Sequence, residues 1–153
     1  MSAFRSFPKE PTKRKRNHSR RDRTKEHRSL VKYADGLMAQ IVKLRDANTC
    51  QRCGRMAPQW KIDAAHIYAK GGNGRMRFIL INLLCLCFVC HDWWHKQSEG
   101  MEWFRGKFPE RYEKLQIWRR IAPKVDIKET IIALEIALEI ELKEARADSG
   151  RVG

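Results

Sequence analysis

Two cysteine pairs, Cys50–Cys53 in "CQRCG" and Cys87–Cys90 in "CFVC", constrain this chain more than any other feature. A C-x-x-C knuckle turns two thiolates toward one point, and two knuckles supply the four soft ligands of a closed tetrahedral zinc site. Four cysteines that were merely buried would not need the paired spacing. A site of this kind has no open coordination position, so it staples the fold and leaves chemistry to other residues. The chain has five cysteines, an odd number that fits four ligands plus one spare better than a disulfide framework. The spare, Cys85, falls two residues before Cys87 in an apolar run and reads as a small core hydrophobe.

Charge narrows the partner. The formal net charge is +14, from 32 Lys and Arg against 18 Asp and Glu. An excess of that size repels itself and is most simply explained by a polyanion, with nucleic acid ahead of a membrane surface. No apolar stretch is long enough to span a bilayer, so no membrane partner is expected. The opening "MSAFRSFPKEPTKRKRNHSRRDR" lacks the apolar core of a secretory signal. The expected location is therefore cytoplasmic, where closely spaced cysteines more often bind metal than pair.

The chain divides into three parts. Residues 1–28 carry eleven Lys or Arg against Glu10, Asp22 and Glu26, with almost nothing apolar after Phe7. This composition reads as an arm disordered when free, with Lys13, Arg14, Lys15, Arg16, Arg20 and Arg21 as candidate phosphate contacts. Residues 29–122 form the main domain. Leu30, Tyr33, Leu37, Ile41 and Leu44 predict a helix capped by Ser29 and ending near Asp46-Ala47-Asn48. "WKIDAAHIYA" and "RFILINLLCL" read as strands around a glycine-rich loop, "CHDWWHKQ" starts a helix, and further helical sequence breaks near Pro109.

The third part, 126–147, is one amphipathic helix with Asp126 as N-cap. Ile127, Ile131, Leu134, Leu138 and Leu142 make one apolar seam, and Ile132, Ile136 and Ile140 make a second on roughly the opposite side. Two seams need two partners. The domain itself can cover one; a second copy, giving a homodimer through this helix, is the expectation for the other. The fold class that emerges is α+β.

His91 and His95 stand one turn apart on one helix face, a spacing that suits either a second metal ion or two packing residues. Together with His66 in "DAAHI", Asn82 in "IN" and the knuckles around "CFVCH", they make the chain resemble the HNH endonucleases. It looks like small phage-encoded members of that family, among them the NinG-type recombination endonucleases. The resemblance covers about residues 50–96 closely and 30–118 loosely. It implies a zinc-stapled ββα-metal core, treble-clef-like, flanked by an N-terminal helix and C-terminal helices.

The same resemblance implies metal-dependent hydrolysis of DNA phosphodiesters, duplex or branched, by one catalytic cation such as Mg²⁺ or Mn²⁺. His66 matches the general base, Asn82 the residue that orients it by hydrogen bond, and His91 with His95 the metal ligands. Arg75 and Arg77 beside the loop are candidate phosphate clamps, or solvated loop charge. One position departs from the pattern. Many family members carry an acid or histidine immediately before the base, where this chain has Ala65; Asp63, on the same strand face, is the candidate substitute as a metal ligand. The alternative is a zinc-stapled nucleic-acid-binding module without catalysis.

Overall fold

The computed structural model describes the backbone of residues 12–71 and 74–149, and the side chains of residues 22–71 and 74–147. Among the described residues there are five helices and one two-stranded antiparallel sheet, in the order α1 (Thr12–Arg45), β1 (Ile62–His66), β2 (Leu83–Cys87), α2 (Phe88–Lys96), α3 (Gly100–Lys107), α4 (Pro109–Ile121) and α5 (Ile127–Ser149). Short 3-10 turns at Gly74–Met76 and Leu80–Asn82 lie between the strands. The architecture is α+β, as the patterning predicts. Among the described residues no helix is long and apolar enough to cross a membrane.

The longest helix begins earlier than the sequence pattern predicts. It starts at Thr12 instead of after Ser29. Lys, Arg and Glu have high helix propensity, and lengthening an existing helix costs far less than nucleating one. The packed segment 30–45 can thus carry a helical extension through much of the basic arm, exposed over residues 22–29. Residues 1–11 lie outside the described part.

The buried stripe of α1 is Ala34, Leu37, Met38, Ile41 and Val42. Tyr33, expected in that stripe, is half exposed and donates from its hydroxyl to Glu135 Oε1 at 2.8 Å. The helix stops as expected: Ala47 and Asn48 take left-handed backbone angles, φ 49° and 50°.

β1 pairs with β2 from Ile62↔Cys87 to His66↔Leu83. Every residue of β2 is buried, because α1 packs on the sheet and α2 folds back against it. The second strand is shorter than its apolar run. Residues 80–82 turn into a 3-10 helix, which carries the Asn82 side chain inward. Cys85 is completely buried, with its thiol 3.6 Å from the Val42 carbonyl. Burial pushes that thiol up to about 12, so it is a neutral packing group.

Phe108 and Pro109 separate α3 from α4, with Pro109 at the start of the second helix where its missing N–H is harmless. Asp126 caps α5 through Oδ1, which accepts from the Lys128 and Glu129 N–H groups at 2.9 and 3.2 Å. Ile127, Ile131 and Leu134 are buried, and α5 packs along α1. Ile132, Ile136 and Ile140 remain exposed.

Candidate metal centre and active site

The four cysteines of the knuckles converge. Sγ atoms of Cys50, Cys53, Cys87 and Cys90 all lie within 4.8 Å of one another, and Cys53 Sγ is 3.7 Å from Cys87 Sγ. Ligands held about 2.3 Å from a tetrahedral zinc are about 3.8 Å apart, so the cluster has the dimensions of that site. The first knuckle is shaped by backbone bonds from Cys50 N to Arg55 O at 2.8 Å and from Gly54 N to Cys50 O at 2.9 Å. Gly54 sits at φ +76°, where a side chain would strain the turn. The second knuckle is the junction of β2 and α2, with Cys87 at the N-cap.

Burial raises the Cys87 thiol, but hydrogen bonds from the Cys90 backbone and the neighbouring thiols outweigh it and bring the group down to about 7. A thiol that ionises near neutrality is ready to ligate. Arg52 sits over the Trp93 ring at 3.8 Å, with Nη1 3.6 Å from Cys90 Sγ. Its charge offsets part of the negative charge that four thiolates would gather.

One turn along α2, His91 and His95 bring their Nε2 atoms to 3.1 Å. Two nitrogens bound at about 2.0–2.1 Å to one divalent cation lie about 3.0–3.4 Å apart, so this pair is spaced to share an ion. Burial and the adjacent His95 both lower the His91 pKa, keeping its ring neutral as ligation requires. Asp63 Oδ2 is 3.8 Å from His91 Nδ1, the nitrogen turned away from His95. Asp63, the candidate extra ligand, therefore stands behind the His91 ring, on the side away from the two Nε2 atoms. Among the described residues, the four cysteines are the one group of three or more side chains with ligand atoms clustered for a metal.

His66 closes β1, and its Nε2 is 3.0 Å from the Arg77 carbonyl oxygen. A carbonyl only accepts, so Nε2 carries the proton and Nδ1 holds the free lone pair. Burial lowers the pKa of the ring, although the Arg77 hydrogen bond opposes it. The ring is therefore neutral at pH 7. Trp94 donates from Nε1 to the His66 carbonyl at 3.2 Å, tying α2 to the end of β1. α3 supports that ring closely: a Cβ on Gly100 would lie 3.1 Å from Trp94.

The expected hydrogen bond from Asn82 to His66 is replaced by another arrangement. Asn82 is fully buried, Oδ1 accepts from Tyr68 N at 2.9 Å, and Nδ2 donates to Tyr68 O at 3.2 Å and Met76 O at 3.0 Å. Asn82 thus ties Tyr68 to Met76, next to the Arg77 carbonyl that holds His66. Its link to His66 is indirect. Ala65, which stands where many members of the resembling family carry a ligand, is buried in the core.

Arg77 is not free to clamp a phosphate. Asp35 grips its guanidinium with Oδ2 to Nη2 at 2.6 Å and Oδ1 to Nε at 3.1 Å, and also pairs with Lys70 at 3.2 Å. Burial raises the Asp35 pKa, but these cations outweigh it and leave the carboxyl below its ordinary value. Arg75 remains exposed. Lys13, Arg14, Lys15, Arg16, Arg20 and Arg21 lie on the N-terminal turns of α1, outside the described side chains.

A partly buried polar network, invisible in the sequence, fixes the segment around Asn82. Arg45 donates to Leu80 O at 3.1 Å and Leu83 O at 2.8 Å while paired with Asp46, whose Oδ2 accepts from Cys85 N at 2.8 Å. Arg111 of α4 donates to Ile81 O at 2.8 Å and also to Leu83 O. Burial brings Arg111 down to about 10, still protonated at neutral pH.

No curated protein and no solved structure matches this chain significantly. A family model does, that of Bacteriophage Lambda NinG protein, over residues 5–129. The matched span takes in the knuckles, the hairpin, α2 and the helices through α4, so the chain belongs to the family of the bacteriophage lambda NinG protein.

Proposed function

We propose that the chain is a metal-dependent DNA endonuclease of the HNH type, acting on duplex or branched DNA in phage recombination. One observation carries the reading: His91 and His95 meet at metal-sharing distance with Asp63 behind them, on a helix that Trp94 ties to His66. The bound divalent cation would neutralise charge developing on the scissile phosphate.

The chain's own residues do the rest. The free Nδ1 of His66 takes a proton from water as its oxygen bonds to phosphorus; the P–O3′ bond breaks and the O3′ oxygen leaves with a proton taken from solvent. The Arg77 carbonyl holds the ring in the tautomer this needs, and stabilises the imidazolium that results. Asp63 fixes His91, while the zinc cluster holds the start of α2 rigid and takes no part in the chemistry. The net charge of +14 would draw the protein to the DNA backbone.

The test is nicking of supercoiled plasmid by zinc-loaded protein dialysed free of other divalent cations and resupplied with Mg²⁺ or Mn²⁺, beside His66→Ala and His91→Ala. Metal-dependent nicking lost in both variants is the expected result. A DNA gel shift without cleavage under any metal would sink the proposal and favour a zinc-stapled binding module.

A further inference from the structure

One side of α5 packs on α1; the side bearing Ile132, Ile136 and Ile140 does not. These three side chains are 59%, 56% and 51% exposed. They recur every four residues and form one stripe about four turns long with its ends. Glu129 closes the stripe at its N-terminal end and Lys143 at its C-terminal end, each seven residues from Ile136 and both exposed.

The order acid, isoleucine, isoleucine, isoleucine, base is complementary to its own reversal. A two-fold axis passing beside Ile136, perpendicular to the helix, brings Ile132 opposite the position of Ile140 and Glu129 opposite that of Lys143. We propose that this stripe is a homodimer interface in which α5 pairs antiparallel with α5 of a second copy about Ile136. Ile132 packs on Ile140 of the partner subunit, and Glu129 pairs with Lys143 of the partner subunit at both ends.

Charge selects this arrangement and this occupant. In a parallel pair Glu129 would face its own copy and Lys143 its own copy, two like-charge contacts in place of two attractive ones. DNA does not suit the face either. In a chain this basic, α5 is the acidic element, with Glu129, Glu135, Glu139, Glu141 and Glu144, and it would repel a polyanion. An isologous contact needs one self-complementary patch, which this stripe supplies. Dimerisation does not depend on catalysis. If both hold, two catalytic sites related by a dyad would match the opposed polarity of two DNA strands.

Sedimentation of the zinc-loaded, nucleic-acid-free full chain tests this, from about 1 to about 100 µM, the range suited to a contact of a few turns. The mass should rise from one chain to two across that range. Ile136→Lys should hold it at one, with an unchanged melting temperature at about 1 µM, where the parent chain is a monomer and the residue is exposed; Ile136→Ala, which adds no charge, should weaken association more mildly. Glu129→Lys alone and Lys143→Glu alone should each weaken association about fivefold, and the double reversal should restore it. A monomer throughout, or a dimer indifferent to Ile136→Lys, overturns the proposal. A dimer that depends on Ile136 but ignores both single reversals overturns the antiparallel register.

Discussion

Replacing Asn82 with alanine tests whether the buried clamp, and not a direct contact with His66, organises the site. The side chain is fully buried and satisfies three backbone groups: the Tyr68 N–H, the Tyr68 carbonyl and the Met76 carbonyl. A buried polar group left without its partner costs about 1–3 kcal/mol. Tyr68 is only partly buried, so water can recover some of that loss at two of the groups, and the Met76 carbonyl keeps the Ile79 N–H at 3.3 Å. Taking the low end at each of the three gives about 3 kcal/mol.

For a domain of this size that corresponds to a fall in Tm of about 6–12 °C. Asn82→Asp keeps the shape but turns two donors into an acceptor facing two carbonyls, so it should be at least as damaging. Thermal melts of the zinc-loaded proteins, followed by tryptophan fluorescence, read both effects. A fall below about 3 °C in both variants would refute the clamp. A large loss of nicking with an unchanged Tm would point instead to direct contact with the base.

Two further outcomes follow from the site. Mercurial titration of the thiols should release about one zinc per chain and collapse the helical circular dichroism, because a structural zinc contributes about as much as a small domain's whole stability; Cys87→Ser should do the same at lower mercurial, and a metal-free protein with unchanged Tm would contradict the cluster. The pH profile should place the acidic limb of plasmid nicking below 6.5, since burial lowers the His66 pKa and a base works only when deprotonated, so activity should hold as pH falls from 7 and fail only below the ordinary histidine range. A limb at or above 6.5 would contradict that tautomer and environment.

Much of this protein was legible because it depends on short-range spacing. C-x-x-C pairs, an i, i+4 histidine pair, an Asp N-cap and a proline at a helix start each specify local geometry, and the structure holds the four thiols, His91 with His95, Asp126 and Pro109 accordingly. The two seams of α5 were likewise set by helical periodicity. Only the tertiary structure decided which partners these residues find. Whether Arg77 is left open or meets Asp35, whether Asn82 reaches His66 or Tyr68, and whether Asp63 stands beside His91 depend on residues brought together from distant parts of the chain. The Arg45–Asp46–Arg111 network is the extreme case, joining the end of α1 to α4 through the backbone of residues 80–83. Spacing along one element fixes where a side chain points; its hydrogen-bond partner is set by the packing of elements far apart in sequence, and that packing minimises buried polar groups left unpaired over the whole domain.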